Sequence, residues 1–196
     1  MARDGLDPAT RIVGAAGGET LGDFWAWGYS NILTNNLRGV FAEFLVGTAL
    51  GVAGGTRTEW DAFDLLYKGA EMEEDAKIEV KSSAYLQSWD QEKPSAIVWS
   101  VGQRYAIDPT TNDWTEKKER HAHCYVFCVY TEREDRNPAK VLDLEKWEFY
   151  VVPTTVIDEE LGNQKTVALG RIRSITNPVV YSRLRERVDE ALARGS

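Results

Sequence analysis

The first half of the chain carries apolar residues at helical spacing. Bulky side chains recur at steps of three and four residues after Thr20, which predicts a helix to about Leu33 with an interruption at Gly28. The same spacing over residues 37–50 predicts a second helix, ended by a run of glycines. Residues 1–18 are rich in Gly and Ala without periodicity, so we expect a flexible N-terminal arm before a single domain of residues 19–196.

The middle of the chain is dominated by runs typical of β-strands. Alternating, β-branched and aromatic residues predict strands over residues 63–68, 77–84, 96–101, 121–131 and 147–152. The first two flank a polar connector and are expected to form a hairpin. A polar excursion (residues 103–120), a short helix after Thr154, an extended run (167–175) and a terminal helix (177–193) complete the pattern. This order predicts a mixed α/β or α+β fold, and of the two we expect α/β with a central mixed β-sheet flanked by helices.

Composition and charge narrow the class of protein. The 196 residues have a formal charge of −8, which excludes a uniformly basic coat for nucleic acid. Residues 161–196 contain seven basic and three acidic residues, so this segment is the more plausible place to meet a polyanion. Seven Trp, eight Tyr and six Phe argue against disorder. The chain has neither a secretory h-region nor a stretch that could span a membrane, so we expect a cytoplasmic protein.

The two cysteines, Cys124 and Cys128, fall four residues apart in a predicted strand. A rise of about 3.3 Å per residue separates them by roughly 13 Å, so they cannot form a disulfide with each other. His121 and His123 precede them, and the cluster could bind a metal. The alternating pattern of the run favours packing in the core instead. We expect the same of the histidines, rather than a role as a general base.

The candidate chemistry lies on the predicted hairpin. Glu79 and Lys81 are two residues apart and therefore project from the same face of their strand. A regular hairpin with Lys68 opposite Lys77 would place Asp64 opposite Lys81 and diagonal to Glu79. Such diagonal side chains lie roughly 7–8 Å apart, a separation at which one divalent cation could bind both carboxylates. A surface ion pair between Glu79 and Lys81 is the simpler alternative, and Asp61 is a weaker candidate than Asp64.

These residues resemble the signature of the PD-(D/E)XK nuclease superfamily. Its pattern is an acidic residue at the start of one strand, here Asp64, and (D/E)-x-K on the next, here Glu79-Val80-Lys81. The superfamily also places a Glu on the preceding helix, which matches Glu43. The similarity covers residues 39–89, and it departs from the pattern at Phe63, where a Pro is common.

The resemblance implies a restriction-endonuclease-like fold and an Mg²⁺-dependent DNA endonuclease, with Mn²⁺ able to replace Mg²⁺. Glu43, Asp64 and Glu79 would bind the metal, and Asp64, Glu79 and Lys81 would be catalytic. Glu43 could instead lie at the edge of its helix's apolar face, although a lone buried carboxylate is costly. Double-strand cleavage needs two active sites, so a homodimer is an expectation by analogy.

Contacts to DNA are expected outside the metal pocket, from Ser83, Gln87, Arg104, Arg171 and Arg173. The first two would continue the face of Glu79 if the strand stays regular, although residues 85–89 could equally end the strand in an aromatic turn. The arginines at 171 and 173 alternate on one face of the predicted extended run. They could equally offset acidic neighbours within the fold.

Lys117 and Lys118, in the polar excursion, are further candidates for contacts to the DNA backbone. Two other functions remain open. One is a non-catalytic module of the same fold that binds nucleic acid or a protein. The other is an unrelated small α/β protein in which Glu79 and Lys81 form a surface ion pair.

Overall fold

A mixed sheet of four strands flanked by helices forms the centre of the molecule, in a computed structural model that describes residues 5–57, 62–69, 74–107 and 113–195. The helices of these residues are α1 (Leu21–Tyr29), α2 (Asn35–Leu50), α3 (Thr154–Leu161), α4 (Leu169–Ile175) and α5 (Leu184–Gly195). The strands are β1 (Leu65–Tyr67), β2 (Ala76–Ala84), β3 (Val98–Ser100), β4 (Cys124–Tyr130), β5 (Trp147–Pro153) and β6 (Thr166–Ala168).

The strand order of the main sheet is β1-β2-β4-β5. β2 is antiparallel to β1 and parallel to β4, and β4 is antiparallel to β5. The short strands β3 and β6 form a separate antiparallel pair. The predicted mixed sheet with flanking helices is therefore confirmed.

Two apolar layers cover the two faces of the main sheet. Helices α2 and α5 pack on the face that carries Ile78 and Val80. Helices α3 and α4 and the β3–β6 pair pack on the face that carries Phe127 and Tyr150. All seven residues of β4 are buried, since this strand is covered on both sides. Residue 79 alternates with Ile78 and Val80, so its side chain belongs to the face opposite α2.

The hairpin register differs from the predicted one by two residues. Leu65 stands opposite Ile78 and Tyr67 opposite Ala76, whereas the prediction placed Lys68 opposite Lys77. The paired residues end at Leu65, and Asp64, just before them, donates its backbone N–H to the Ile78 carbonyl. The predicted position of Asp64 opposite Lys81 is therefore wrong. Asp61 and residues 70–73 of the connector lie outside the described residues.

The predicted extended run of residues 167–175 is wrong beyond Ala168. Only Thr166–Ala168 pairs as a strand, and Leu169–Ile175 is helix α4. Leu169 and Ile172 are both buried and three residues apart, which is the spacing of one helix face. Arg171 and Arg173 consequently lie on a helix and not on one face of a strand.

The other helices differ from prediction mainly at their ends. Helix α1 begins with a capping box between Thr20 and Asp23 and stops at Tyr29, short of Leu33. The terminal helix begins at Leu184, after a 3₁₀ turn, and not at Asn177. Residues 5–18 are mostly exposed and are connected to the start of α1 by a β-bridge between Arg11 and Thr20. Among the residues described, no helix combines the length and apolarity needed to cross a membrane.

Candidate functional site

Glu79 is a buried carboxylate on the central part of β2. Its side chain is 2% exposed, and its Oε1 accepts hydrogen bonds from the Lys81 ammonium and from Nη2 of Arg104, the latter at 2.7 Å. The ion pair with Lys81 agrees with the prediction that both side chains project from one face. The second carboxylate oxygen, Oε2, is buried and has no hydrogen-bond partner among the residues that the structure describes. A buried acceptor without a partner is costly, so this oxygen is available to a further ligand.

Asp64 lies immediately before β1, beside the same stretch of β2. Its backbone N–H donates to the carbonyl of Ile78 at 3.0 Å, and its Oδ2 accepts the N–H of Val80 at 2.7 Å. Burial, with a further contribution from the Glu79 carboxylate, raises the pKa of Asp64 to about 6. The Val80 hydrogen bond and the Lys81 charge act in the opposite direction. Asp64, Glu79 and Lys81 are thus electrostatically coupled.

Glu43 is held differently from the other two carboxylates. It lies on α2 and forms a two-point ion pair with Arg57, with distances of 2.5 Å and 3.0 Å. Glu43, Arg57 and Asp64 line an otherwise largely apolar cleft of about 520 Å³ between α2 and the segments on either side of residues 58–61. The Glu43 charge also raises the pKa of Asp64, although less than burial and Glu79 do. The structure therefore brings Glu43 near Asp64 but pairs it with a guanidinium.

The three predicted metal ligands do not gather around one point. Within the described ranges, no group of three His, Cys, Asp or Glu side chains is placed to hold a metal ion. Mg²⁺ in proteins commonly uses one or two carboxylates and retains several waters. Asp64 and Glu79 supply the number of carboxylates that this smaller donor set needs. Glu43 does not add to it while Arg57 occupies its carboxylate.

Gln87 and Ser83 occupy different environments. β2 ends at Ala84, so Gln87 lies beyond the strand, which agrees with the alternative of an aromatic turn at this point. Its amide is buried, donates to the Ala84 carbonyl at 3.0 Å, and accepts weakly from Arg38 of α2 at 3.5 Å. Ser83 remains on β2, half-buried, two residues beyond Lys81. Of these two expected DNA contacts, Ser83 is thus the more accessible.

The two cysteines pack in the core, and the two histidines contact backbone groups. Cys124 and Cys128 are free and fully buried in β4, and burial raises the pKa of the Cys124 thiol to about 12. Nδ1 of His123 accepts the backbone N–H of Lys77 at 2.9 Å, and Nε2 of His121 lies 2.8 Å from the Arg104 carbonyl. The expectation of packing is confirmed for the cysteines, and both histidines have partners in the backbone.

Arg171 and Arg173 are both paired with acidic side chains of the fold. Arg171 forms an ion pair with Glu160, and Arg173 pairs with Glu148 at 2.9 Å and donates to the Tyr150 hydroxyl at 2.8 Å. These contacts agree with the alternative that the two arginines offset acidic neighbours. By contrast, Lys117 and Lys118 are exposed, near the bridge that joins Arg104 to Glu119. Residues 108–112 of the same excursion lie outside the described part of the chain.

Two arginine partners were not recognised from the sequence. Arg57 binds Glu43 from a loop 14 residues away, and Arg104 binds Glu79 from a segment 25 residues away. Arg104 was expected only as a contact to DNA. Neither pairing has a spacing signal, since helix and strand periodicity relate only residues of the same element.

Comparison of the chain with known protein families, characterised proteins and solved structures finds no significant match in any of the three.

Proposed function

We propose that the protein is an Mg²⁺-dependent endonuclease that hydrolyses phosphodiester bonds of DNA, with a restriction-endonuclease-like arrangement of its site. One observation carries the proposal: the buried carboxylate of Glu79 has one oxygen bound by two cationic side chains, while the other has no partner within the described part of the chain. Asp64 beside it is a second carboxylate whose pKa is raised by burial and by Glu79. Two coupled carboxylates and a lysine are the chemical groups that the superfamily's signature requires.

Asp64 and Glu79 would hold the cation. A bound Mg²⁺ supplies an activated water near neutral pH and offsets the negative charge that develops on the phosphate. Lys81 fixes Oε1 of Glu79. Its side chain is about one-quarter exposed, and its ammonium could also orient a water or stabilise negative charge at the reacting phosphate. Asp64 is held in place by the Val80 N–H, so its carboxylate does not need to reorganise before it binds the cation. Mn²⁺ is expected to replace Mg²⁺.

A non-catalytic module of the same fold is the second candidate. It is favoured by the lack of a three-ligand group among the described residues, and by the two cations already bound to Glu79. In that function the Glu79–Lys81–Arg104 cluster would be a structural network. DNA remains the expected partner, and a homodimer remains the expected form for double-strand cleavage.

Nicking of supercoiled plasmid separates the two candidates. The wild-type protein should nick plasmid with Mg²⁺ or Mn²⁺ and not with EDTA. Asp64→Asn and Glu79→Gln should each lower the rate by at least about 100-fold, because each removes a charge from the proposed ligand set. Asp90→Asn is the matched control, since Asp90 is fully exposed and pairs only with Arg136 among the described residues.

Binding of plasmid without nicking in any metal, by a folded wild-type protein, would favour the non-catalytic module. Nicking that survives both Asp64→Asn and Glu79→Gln would place the active site elsewhere.

A further inference from the structure

Arg104 contacts the buried Glu79 carboxylate through a partly exposed side chain. Its Nη2 lies 2.7 Å from Oε1 of Glu79 and 3.3 Å from the Ala62 carbonyl. The Arg104 side chain is about half exposed, whereas the Glu79 side chain is 2% exposed. A buried carboxylate is thus contacted from the solvent side by a guanidinium that belongs to a distant segment.

The backbone of Arg104 is fixed while its side chain has room to move. Its N–H donates to the Glu119 carbonyl at 3.0 Å and its carbonyl accepts the Glu119 N–H at 3.1 Å. The same carbonyl lies 2.8 Å from Nε2 of His121. Rotation about the side-chain bonds can therefore move the guanidinium off Glu79 without displacing the chain.

Charge gives a reason for that movement. With Asp64 and Glu79 ionised, Lys81 and Arg104 make the cluster neutral. A divalent cation at Asp64 and Glu79 adds two positive charges, so it and the nearby guanidinium repel each other. Lys81 cannot leave as easily, since it lies on the same strand as Glu79 and only about a quarter of it is exposed. The half-exposed Arg104 is the cation that can be released.

We propose that Arg104 is an exchangeable cation: it binds Glu79 in the metal-free protein and transfers to a DNA phosphate when a divalent cation binds. The planar fork of a guanidinium suits two phosphate oxygens as well as it suits a carboxylate. Because DNA then draws Arg104 from Glu79, DNA and the cation bind with positive, reciprocal coupling. This inference rests on the proposed function, and it assigns Arg104 the role of making cleavage depend on both ligands.

The first test is a calorimetric titration of DNA-free protein with Mn²⁺. Arg104→Gln removes the competing guanidinium and should tighten Mn²⁺ binding by about fivefold or more relative to wild type. Arg104→Lys, which keeps the charge and loses the fork, should fall between the two. Arg183→Gln is the matched control, because Arg183 pairs with Glu186 at an exposed site and should leave the Mn²⁺ affinity unchanged.

The second test is a double-mutant cycle in DNA binding without metal, read by fluorescence anisotropy of a labelled duplex. Glu79→Gln frees the guanidinium and should tighten DNA binding by about threefold to tenfold. In the Arg104→Gln background the same substitution should bring much less gain. Thermal unfolding confirms that each variant is folded, and Arg104→Lys replaces Arg104→Gln if the latter does not fold.

The outcomes separate the inference from the function on which it rests. Wild-type protein that nicks plasmid and binds Mn²⁺, with Arg104→Gln binding Mn²⁺ no more tightly, overturns the role of Arg104 alone. Additive effects in the DNA cycle overturn it as well. Wild-type protein that neither binds Mn²⁺ nor nicks plasmid overturns the proposed function, and the exchange with it.

Discussion

At Glu79, burial and charge act on the same carboxylate. An ionised carboxylate that is 98% inaccessible is tolerated only with close partners, and Lys81 and Arg104 supply them at one oxygen. The other oxygen has no hydrogen bond to any described residue, at a cost of about 1–3 kcal/mol for a group of this kind. A buried carboxylate with specific charged partners is a candidate for a functional site.

The pH dependence of stability provides a test of the charge at Asp64. The folded pKa of about 6 lies above the ordinary value of 3.8, so the folded protein binds this proton more tightly than the unfolded chain. The unfolding free energy therefore falls as pH rises from about 4 to 6. Asp64→Asn should remove this loss and stabilise the metal-free protein by about 1–3 kcal/mol at pH 7, with little gain at pH 4.

Urea unfolding at the two pH values measures this difference. The amide oxygen of Asn can still accept the Val80 N–H, so the substitution preserves the hydrogen bond. Asp90→Asn makes the same charge change at an exposed position and should not show the gain at pH 7. A loss of stability in Asp64→Asn at both pH values would mean that Asp64 is part of a stabilising network.

Among the helices and strands, the spacing of apolar residues predicted the elements better than it predicted which residues pair between strands. The spacing of apolar residues correctly predicted α2, β2, β4 and β5, because one or both faces of each element are buried. The hairpin register could not be obtained in this way, since a shift of two residues keeps every side chain on its face. An extended run over residues 167–175 would place Arg171 and Arg173 on one face, but burial of Leu169 and Ile172 on one side of α4 decided for a helix after Ala168.

The candidate site shows the same division. Glu79 and Lys81 could be placed together from their spacing on one strand. The proximity of Asp64 followed from the hairpin, but Asp64 hydrogen-bonds to the backbone of Ile78 and Val80 and does not stand opposite Lys81. The ion pairs of Glu43 with Arg57 and of Glu79 with Arg104 could not be predicted, because they join loops to regular elements across 14 and 25 residues.

One glycine within α2 and the glycine that follows it give a matched test of the helix that carries Glu43. Gly39 lies within the helix with open space where a Cβ would be, so Gly39→Ala should stabilise the protein by about 0.5–1 kcal/mol. Gly51 ends the helix with a φ of 78°, a left-handed conformation that Ala adopts poorly. Gly51→Ala should therefore destabilise by about 1 kcal/mol. Urea unfolding of both variants measures the effects, and equal signs would contradict the assigned helix end.

At the scale of the whole molecule, the basic C-terminal segment is largely engaged within the fold. The last 36 residues carry a net charge of +4 on a chain of −8. Within this segment Arg171, Arg173, Arg183 and Arg187 are each paired with a glutamate. Lys117 and Lys118 are exposed and belong to the same excursion as Arg104. They are therefore better candidates for contacts to DNA than the paired arginines of the C-terminal segment.

Two double variants with the same loss of charge test this distribution. Lys117→Gln with Lys118→Gln should lower the slope of log affinity against log salt by about two, because each released phosphate contact contributes about 0.9. Arg171→Gln with Arg173→Gln should change the slope by much less, since both arginines already have acidic partners. Fluorescence anisotropy at several salt concentrations gives both slopes. The reverse order would assign the DNA path to the C-terminal segment, as the sequence first indicated.

A crystal structure of the protein soaked in Mn²⁺, with anomalous scattering used to locate the metal, tests the proposed site most directly. We expect a peak within coordination distance of a carboxylate oxygen of Asp64 and of Oε2 of Glu79, with waters in the remaining positions. The Arg104 guanidinium should have moved away from Glu79. A peak only at other residues, or no peak while Glu79 keeps Lys81 and Arg104 as its partners, would show that Asp64 and Glu79 do not hold the metal.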